Sequence, residues 1–333
     1  MNESHFIVNK EVNTFILDDD YNLFYDIFYK NNNIYIILPI YNVPTDSSSI
    51  KIKVDNDELK TPIIYKYESG KESILIYIYN YISNVYEINV YEINVTIEYN
   101  NIIKIFKLNH IKVSECAVNE LSLTTLCKDD YTIFPLFYEY YKNQGVSHFY
   151  IYYNGLITPE IQKVFELDNV TLIEWNFKYW NDITKNKYSH HAQTGQINHA
   201  LYRYGKDISD YMLYCDLDEY CYIPNFSIKQ YILDNKHINM VGFCNYWSNT
   251  IDNKYPEKFP NKFLTVKEGI PYPSRSKTLY KTNSINIVGV HTLNNTLYRK
   301  NKDKNLKLFM MFHFYNWTQN KRKIKEVDNL FEM

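Results

Sequence analysis

Alanine is almost missing from this chain: three residues in 333, beside eight glycines and ten prolines. So sparse a glycine supply leaves no phosphate cradle, and neither GxGxxG nor GxxxxGK[ST] occurs, which removes the usual dinucleotide and P-loop sites. GxSxG is missing too, and with it the nucleophile elbow of serine hydrolases. A net charge of -2 lacks the basic surplus that offsets phosphates, so no nucleic-acid partner is expected. No apolar run approaches the roughly 20 residues that span a bilayer, so no membrane span is expected. The opening MNESHFIVNK lacks the charged-then-apolar plan of a secretory leader. The five cysteines are odd in number and lack zinc spacing. They read as buried free thiols in a reducing cytoplasm, the host's if the chain is viral.

What the chain does have is aromatics and amides. There are 35 tyrosines and 18 phenylalanines, and only four of the 36 basic residues are arginine. The favoured residues have AT-rich codons and the scarce ones GC-rich codons. An AT-rich genome, of a giant virus or a microbe, accounts for both, so a single Tyr or Asn carries little functional weight.

At roughly 100–200 residues per domain the length predicts two domains. The first, residues 1–112, reads as strands: Ile34–Leu38, Ile50–Val54, Ile63–Tyr67, Ile74–Tyr79 and Val85–Tyr99, parted by Asn-, Ser- and Gly-containing turns. Short strands at this spacing without a helix predict an all-β antiparallel sandwich. The repeated YEINV of residues 86–95 reads as a slippage duplication. From residue 118 to 333 the pattern alternates instead. Strands are expected at Leu121–Cys127, His148–Tyr153, Val170–Trp175, Tyr211–Asp216 and Met240–Tyr246, and helices at Tyr131–Asn143 (stopped by Gly145), Pro159–Leu167, Ser189–Tyr204 (capped by Gly205) and Ser227–Asp234. Alternation of this kind predicts an α/β fold with a mostly parallel sheet covered on both faces. Ligands in such sheets bind beyond the carboxyl ends of the strands.

Asp216-Leu217-Asp218-Glu219-Tyr220 stands at such an end. Alternation points Asp216 and Asp218 the same way, and two hard oxygen ligands so placed suit Mg²⁺ or Mn²⁺ shared with a diphosphate. The competing reading is an ordinary acidic turn. Of the histidines, His291 closes the strand-like Ile285–Val290 and is placed to bring an imidazole to a metal, whereas His313 sits in a more apolar strand. His190, His191 and His199 default to packing or solvation. Lys321-Arg322-Lys323 with Lys325 reads as a solvated helix face.

In order along the chain, the strand ending in Cys127, then Phe134 with Glu139-Tyr140-Tyr141, then Gln144–Asn154, Val170–Trp175, Gln196–Tyr204, Asp216–Tyr220, Ser276-Lys277, Val290-His291 and His313-Phe314 resemble glycosyltransferase family 92 and related enzymes with a GT-A fold. The resemblance covers about residues 120–315, with Asp129-Asp130 where such enzymes often carry Asn-Glu, Tyr141 where a His is common, and Tyr153 in place of an acidic residue. It implies transfer of a sugar, with inversion, from a nucleotide-sugar donor, a UDP-sugar first, to a glycan or glycoprotein acceptor, with Mn²⁺ or Mg²⁺. It implies a metal held by Asp216, Asp218 and His291, with His313 as substitute for the last. Donor contacts fall to Lys128, Asp130, Asn154, Gln196, Asn198, Asp216 and Lys277. For the base that deprotonates the acceptor, Asp252 is the first choice among Asp252, Glu257 and Glu268, with Glu219 the other candidate. Trp247 and Tyr272 are candidates to stack on an acceptor sugar. The competing reading is a glycan-binding protein built on a degenerate transferase domain; a third is metal-dependent phosphoryl transfer.

Overall fold

The computed structural model describes residues 6–18, 21–39, 50–55, 57–69, 72–81, 92–111, 119–179, 192–266, 272–291, 309–317 and 327–333. Cys116, most of the YEINV duplication, His190, His191, Glu268 and the basic run at 321–325 lie outside the described residues. The chain forms two compact units, and they are not parted by a single cut near residues 112–118. One unit gathers Met1–Lys10, Val118–Asn176 and Ser209–Met333; the other gathers Glu11–Ala117 and Phe177–Ile208.

The first unit is built on an 11-stranded sheet. Its strands are β1 (Ile7–Asn9), β2 (Asn119–Cys127), β3 (His148–Tyr153), β4 (Val170–Glu174), β5 (Ser209–Tyr214), β6 (Glu219–Tyr222), β7 (Met240–Asn249), β8 (Lys262–Val266), β9 (Tyr272–Lys281), β10 (Met310–Phe314) and β11 (Val327–Glu332). The strands β1-β4-β3-β2-β5 run parallel, with helices α1 (Phe134–Asn143) and α2 (Pro159–Phe165) in the connections. From β5 onward the ladder β5-β9-β7-β8-β11 is antiparallel, and β10 lies parallel to β7 while pairing antiparallel with β6. The sheet is therefore mixed and not mostly parallel. Parallel neighbours need long crossovers, and beyond α3 (Ile228–Asp234) there is no further α-helix among the described residues.

Helix boundaries follow from local chemistry. Thr158 caps α2, its hydroxyl accepting from Ile161 N, and Pro159 supplies the preset φ of the first turn. Gly145 ends α1 with φ of +88°; Val146 N donates to Tyr141 O (3.0 Å) and Gly145 N to Lys142 O (3.0 Å), the paired bonds of a Schellman stop. The expected strand at Ile285–Val290 does not form. A 3₁₀ turn at Thr282–Ser284 redirects the chain, and Ile285, Val288 and Val290 are buried without joining a ladder.

The second unit contains an eight-stranded sheet and a two-stranded hairpin, Phe15–Asp18 with Tyr21–Phe24. Pairing is antiparallel apart from one junction. Strand Ile102–Ile111 lies along Glu92–Tyr99 for its length and meets Asp26–Lys30 in parallel through His110 and Ile111 alone. Ile52, Val95 and Ile97 from one half share a core with Ile34, Ile36, Leu75 and Tyr77 from the other. The helical stretch that opens the run 192–208 belongs to this unit: α-helix over Ala192–Ala200, then a π-helical turn over Leu201–Gly205, where a cap at Gly205 was expected. Gly195 is required there, because an added Cβ would run into the Tyr25 ring. Two buried ionic groups hold that run to the β-rich part. Asp26, fully buried, accepts from Asn13 N (2.7 Å), His199 Nε2 (2.8 Å) and Arg203 Nη1 (2.8 Å). Lys30 donates to the carbonyls of Tyr202 (3.0 Å) and Lys206 (2.5 Å) at the end of the π-turn, carbonyls that a helix end leaves without partners of its own.

Candidate functional site

The acidic segment lies where the apolar strand β5 stops. Tyr211–Tyr214 are buried, and after Cys215 the chain turns sharply: Glu219 N donates to Asp216 O (3.0 Å) and the Glu219 carboxylate returns the bond, accepting from Asp216 N (2.7 Å). The chain then enters β6, where Glu219 lies opposite His313 of β10. Phe314 N donates to Asp218 O (2.8 Å), fixing the two strands at the turn.

Six side chains converge here. Lys277 of β9, fully buried, places its ammonium 2.9 Å from Asp216 Oδ2 and 3.3 Å from Glu219 Oε2. His313 Nε2 lies 3.1 Å from Asp218 Oδ2, and its Nδ1 is 3.5 Å from Glu219 Oε1. Tyr214 donates to Asp216 Oδ1 (3.0 Å), and its ring lies 4.4 Å from the Lys277 ammonium, a cation–π contact. Burial pushes Glu219 up to about 7, with Asp216 and Asp218 adding to the rise against the pull of Lys277. Burial also raises Asp216, but Lys277, and after it His291 and His313, carry it below the ordinary carboxylate value. For Lys277 and His313 burial works downward, yet the neighbouring carboxylates outweigh it and raise both groups.

The expected residues divide into three sets. Asp216, Asp218, Glu219, Lys277 and His313 form one buried network, with His291 near enough to act on Asp216. Trp247 borders it, its ring 4.4 Å from His313 and 5.7 Å from the Arg275 guanidinium. The second set lies at the carboxyl ends of β2 and β3. Lys128 is exposed and Asp130 half-buried, and Asn154 donates its amide to Trp175 O (2.9 Å). The third set is elsewhere. Asp252 is exposed on the turn after β7 and accepts from Lys254 N (3.2 Å); Glu257 is exposed too. Gln196 and Asn198 belong to the second unit, fully buried, and Asn198 gives its amide to Thr194 O (2.9 Å) within its helix. Tyr272 is on β9, and its side chain lies outside what is described.

A residue that the sequence reading gave no role in the site organises the turn. Tyr141 of α1 donates its hydroxyl to Glu219 O (2.8 Å) and accepts from Cys221 N (2.9 Å) and the Cys215 thiol (3.3 Å). One buried hydroxyl thus ties both stems of the acidic segment to α1. Its one distinguishing signal was its place on the helix, where the resemblance leads one to expect a His.

Chemically, the network offers three carboxylates, an imidazole and a fixed cation beside the strand end. Among the described residues, no group of three His, Cys, Asp or Glu side chains is set to hold a metal ion by itself. Cys127, Cys215, Cys221 and Cys244 are buried free thiols, and no helix among the described residues is long and apolar enough to cross a membrane. Comparison with curated proteins finds no match. The model of glycosyltransferase family 92 matches residues 124–332, well over half of the chain, and this span contains every member of the buried network. The chain belongs to glycosyltransferase family 92.

Proposed function

We propose that this glycosyltransferase moves a sugar, with inversion, from a nucleotide-sugar donor, UDP-linked first, to a glycan or glycoprotein acceptor, with Mn²⁺ or Mg²⁺ at Asp218. The observation that carries the reading is the Asp218–His313 pair at the end of β5, 3.1 Å apart, with Lys277 beside it. A carboxylate oxygen and an imidazole nitrogen are suitable donors. Two protein ligands fit an ion that takes its remaining ligands from a diphosphate and water, as Mg²⁺ sites commonly do. Asp218 and His313 would hold it, with Asp216 and His291 next in reach; when bound, it neutralises charge growing on the leaving nucleoside diphosphate.

The chain's own residues supply the rest. Lys277 is a fixed positive charge that holds Asp216 ionised. Glu219 commits its oxygens to Asp216 N, Lys277 and His313, so it holds the turn in shape. That leaves Asp252, on the turn that follows Trp247, to take the acceptor proton. We assign the nucleoside to the ends of β2 and β3, with Lys128, Asp130 and Asn154, because ligands in such sheets bind beyond the carboxyl ends of parallel strands. One observation favours the competing glycan-binding reading: Lys277 already engages Asp216 Oδ2.

Calorimetric titration of UDP, GDP and their sugar conjugates, with MnCl₂ and then with EDTA, tests the reading. Mn²⁺-dependent binding of one nucleotide, lost in Asp218→Ala, is expected. Equal affinity in that variant removes Asp218 from the donor site. No nucleotide binding by the folded parent transfers the reading to glycan binding.

A further inference from the structure

Asn245 lies in the interior of β7, fully buried, and neither its carboxamide oxygen nor its nitrogen has a hydrogen-bond partner among the described residues. Leaving such a group unpaired costs stability, and an apolar side chain of similar shape would avoid the cost. β-Strands avoid this arrangement unless something else uses the group.

Its position says what that use is. β7 and β10 pair in parallel without a break from Cys244–Met310 to Ser248–Phe314, so Asn245 and Trp247 share a face with Met311 and His313. Phe243 and Phe309, in contact at 5.9 Å between ring centroids, lie one step below, before the register shift that separates Phe243 from Asn245. Asn245 is the next row up, beside Met311, and Trp247 with His313 is the row above, where His313 meets Asp218. Asp218 and His313 are 7% and 6% exposed, so the Asn245–Trp247 face leads to groups that are themselves buried. β7 is separated from β5 by β9, on the opposite side of β5 from β2 and β3, whose ends suit the nucleoside. A ligand group on the Asn245 side is therefore a sugar.

We propose that Asn245 is a specificity-determining residue that binds adjacent ring hydroxyls of a pyranose. One carboxamide offers a donor and an acceptor from the same plane, and two neighbouring hydroxyls return the complement. Such a site rejects a sugar lacking one of the hydroxyls, because the buried amide is then left unpaired. The inference rests on the transferase reading above. The sugar is the donor's or the acceptor's, and the test separates the two.

The experiment uses the full chain and Asn245→Leu, with Asn245→Ala as the second variant should the leucine overfill the row. Three quantities are read: the urea midpoint without ligand, calorimetric affinity for UDP and GDP and their sugar conjugates with MnCl₂, and binding to a glycan array. A raised or unchanged midpoint in Asn245→Leu, with at least tenfold weaker binding of the sugar conjugate and unchanged binding of the nucleotide alone, supports the proposal and assigns the donor sugar. The same stability with loss confined to the array supports it and assigns the acceptor. Unchanged sugar binding in whichever variant folds overturns it, as does loss of nucleotide and sugar binding alike. If the parent binds neither nucleotide nor glycan, the transferase reading fails and takes this proposal with it.

Discussion

Replacing Lys277 with methionine keeps the stem and removes the charge, and the surrounding geometry sets the cost. The ammonium lies 2.9 Å from Asp216 and 3.3 Å from Glu219. At an effective dielectric of 20 these contacts amount to about 6 and about 5 kcal/mol of attraction. Desolvation of a fully buried ammonium offsets much of that, and removing one partner of a buried pair generally costs about 3–5 kcal/mol. Asp216, with 31% of its side chain exposed, can draw water; Glu219, at 2%, cannot. The loss therefore falls on Glu219, which stands at about 7 even with Lys277 beside it. Without that cation it rises further and takes up a proton in the folded state. A carboxyl raised on folding gives up stability as pH climbs past its unfolded value, and in the variant this continues above pH 7, where the parent has finished. Urea unfolding followed by tryptophan fluorescence, in EDTA, should show Lys277→Met weaker by about 3 kcal/mol at pH 8.5, with a smaller deficit at pH 6. A deficit below about 1 kcal/mol, or one flat with pH, refutes the argument.

Three other perturbations test other parts of the structure. Tyr141→Phe unties the acidic turn from α1 and leaves two buried backbone groups short of a partner; a loss of about 1–3 kcal/mol in urea unfolding is expected, and a neutral variant would show that the turn holds without the hydroxyl. Gly145→Ala must carry a side chain at φ +88° against Lys229, so its thermal midpoint should fall by several degrees; no change would mean that the Schellman stop relaxes freely. Burial pushes Lys30 down to about 8, so between pH 8 and its unfolded value near 10.4 the unfolded chain binds more protons and Lys30 contributes more as pH rises. Comparing the parent with Lys30→Met cancels the opposing effect of the buried cysteines; the gap should move in the parent's favour by about 2 kcal/mol between pH 7.5 and 9.5, and a constant gap rejects the assignment.

Strands and helices were legible in sequence wherever neighbours along the chain determine them. His148–Tyr153 has the expected limits, and Gly145 ends its helix as glycine does where φ must be positive. Ile285–Val290 shows the limit of that reading. Alternating apolar residues report burial, and burial is what they obtain; a ladder also needs a neighbouring edge, which sequence spacing does not reveal. The mixed sheet was missed for a related reason, since strand direction beyond β5 depends on partners far along the chain. In the site, Asp216 and Asp218 were legible because charge at a strand end is conspicuous, whereas Lys277, inside β9, was reached through the resemblance alone. The part played there by Tyr141 was not legible, nor was that of His199 in the second unit. The partner of His199 is Asp26, 173 positions away, and tyrosine is so common here that no single one draws notice.

The small strand β1 has a consequence for synthesis. Ile7–Asn9 is made near the start, yet its parallel partners are Thr171–Ile173. At the usual 5–20 residues per second, an emerging chain must keep that edge segment unpaired for roughly 10–30 s before its place exists. The helix at Ala192–Ala200 waits on the ribosome in the opposite sense, because the strand carrying Asp26 and Lys30 is finished long before His199 and the π-turn arrive to use them. Nascent chains halted near residue 150 would thus hold an edge strand without its partner and a strand whose acid and lysine are still unmatched.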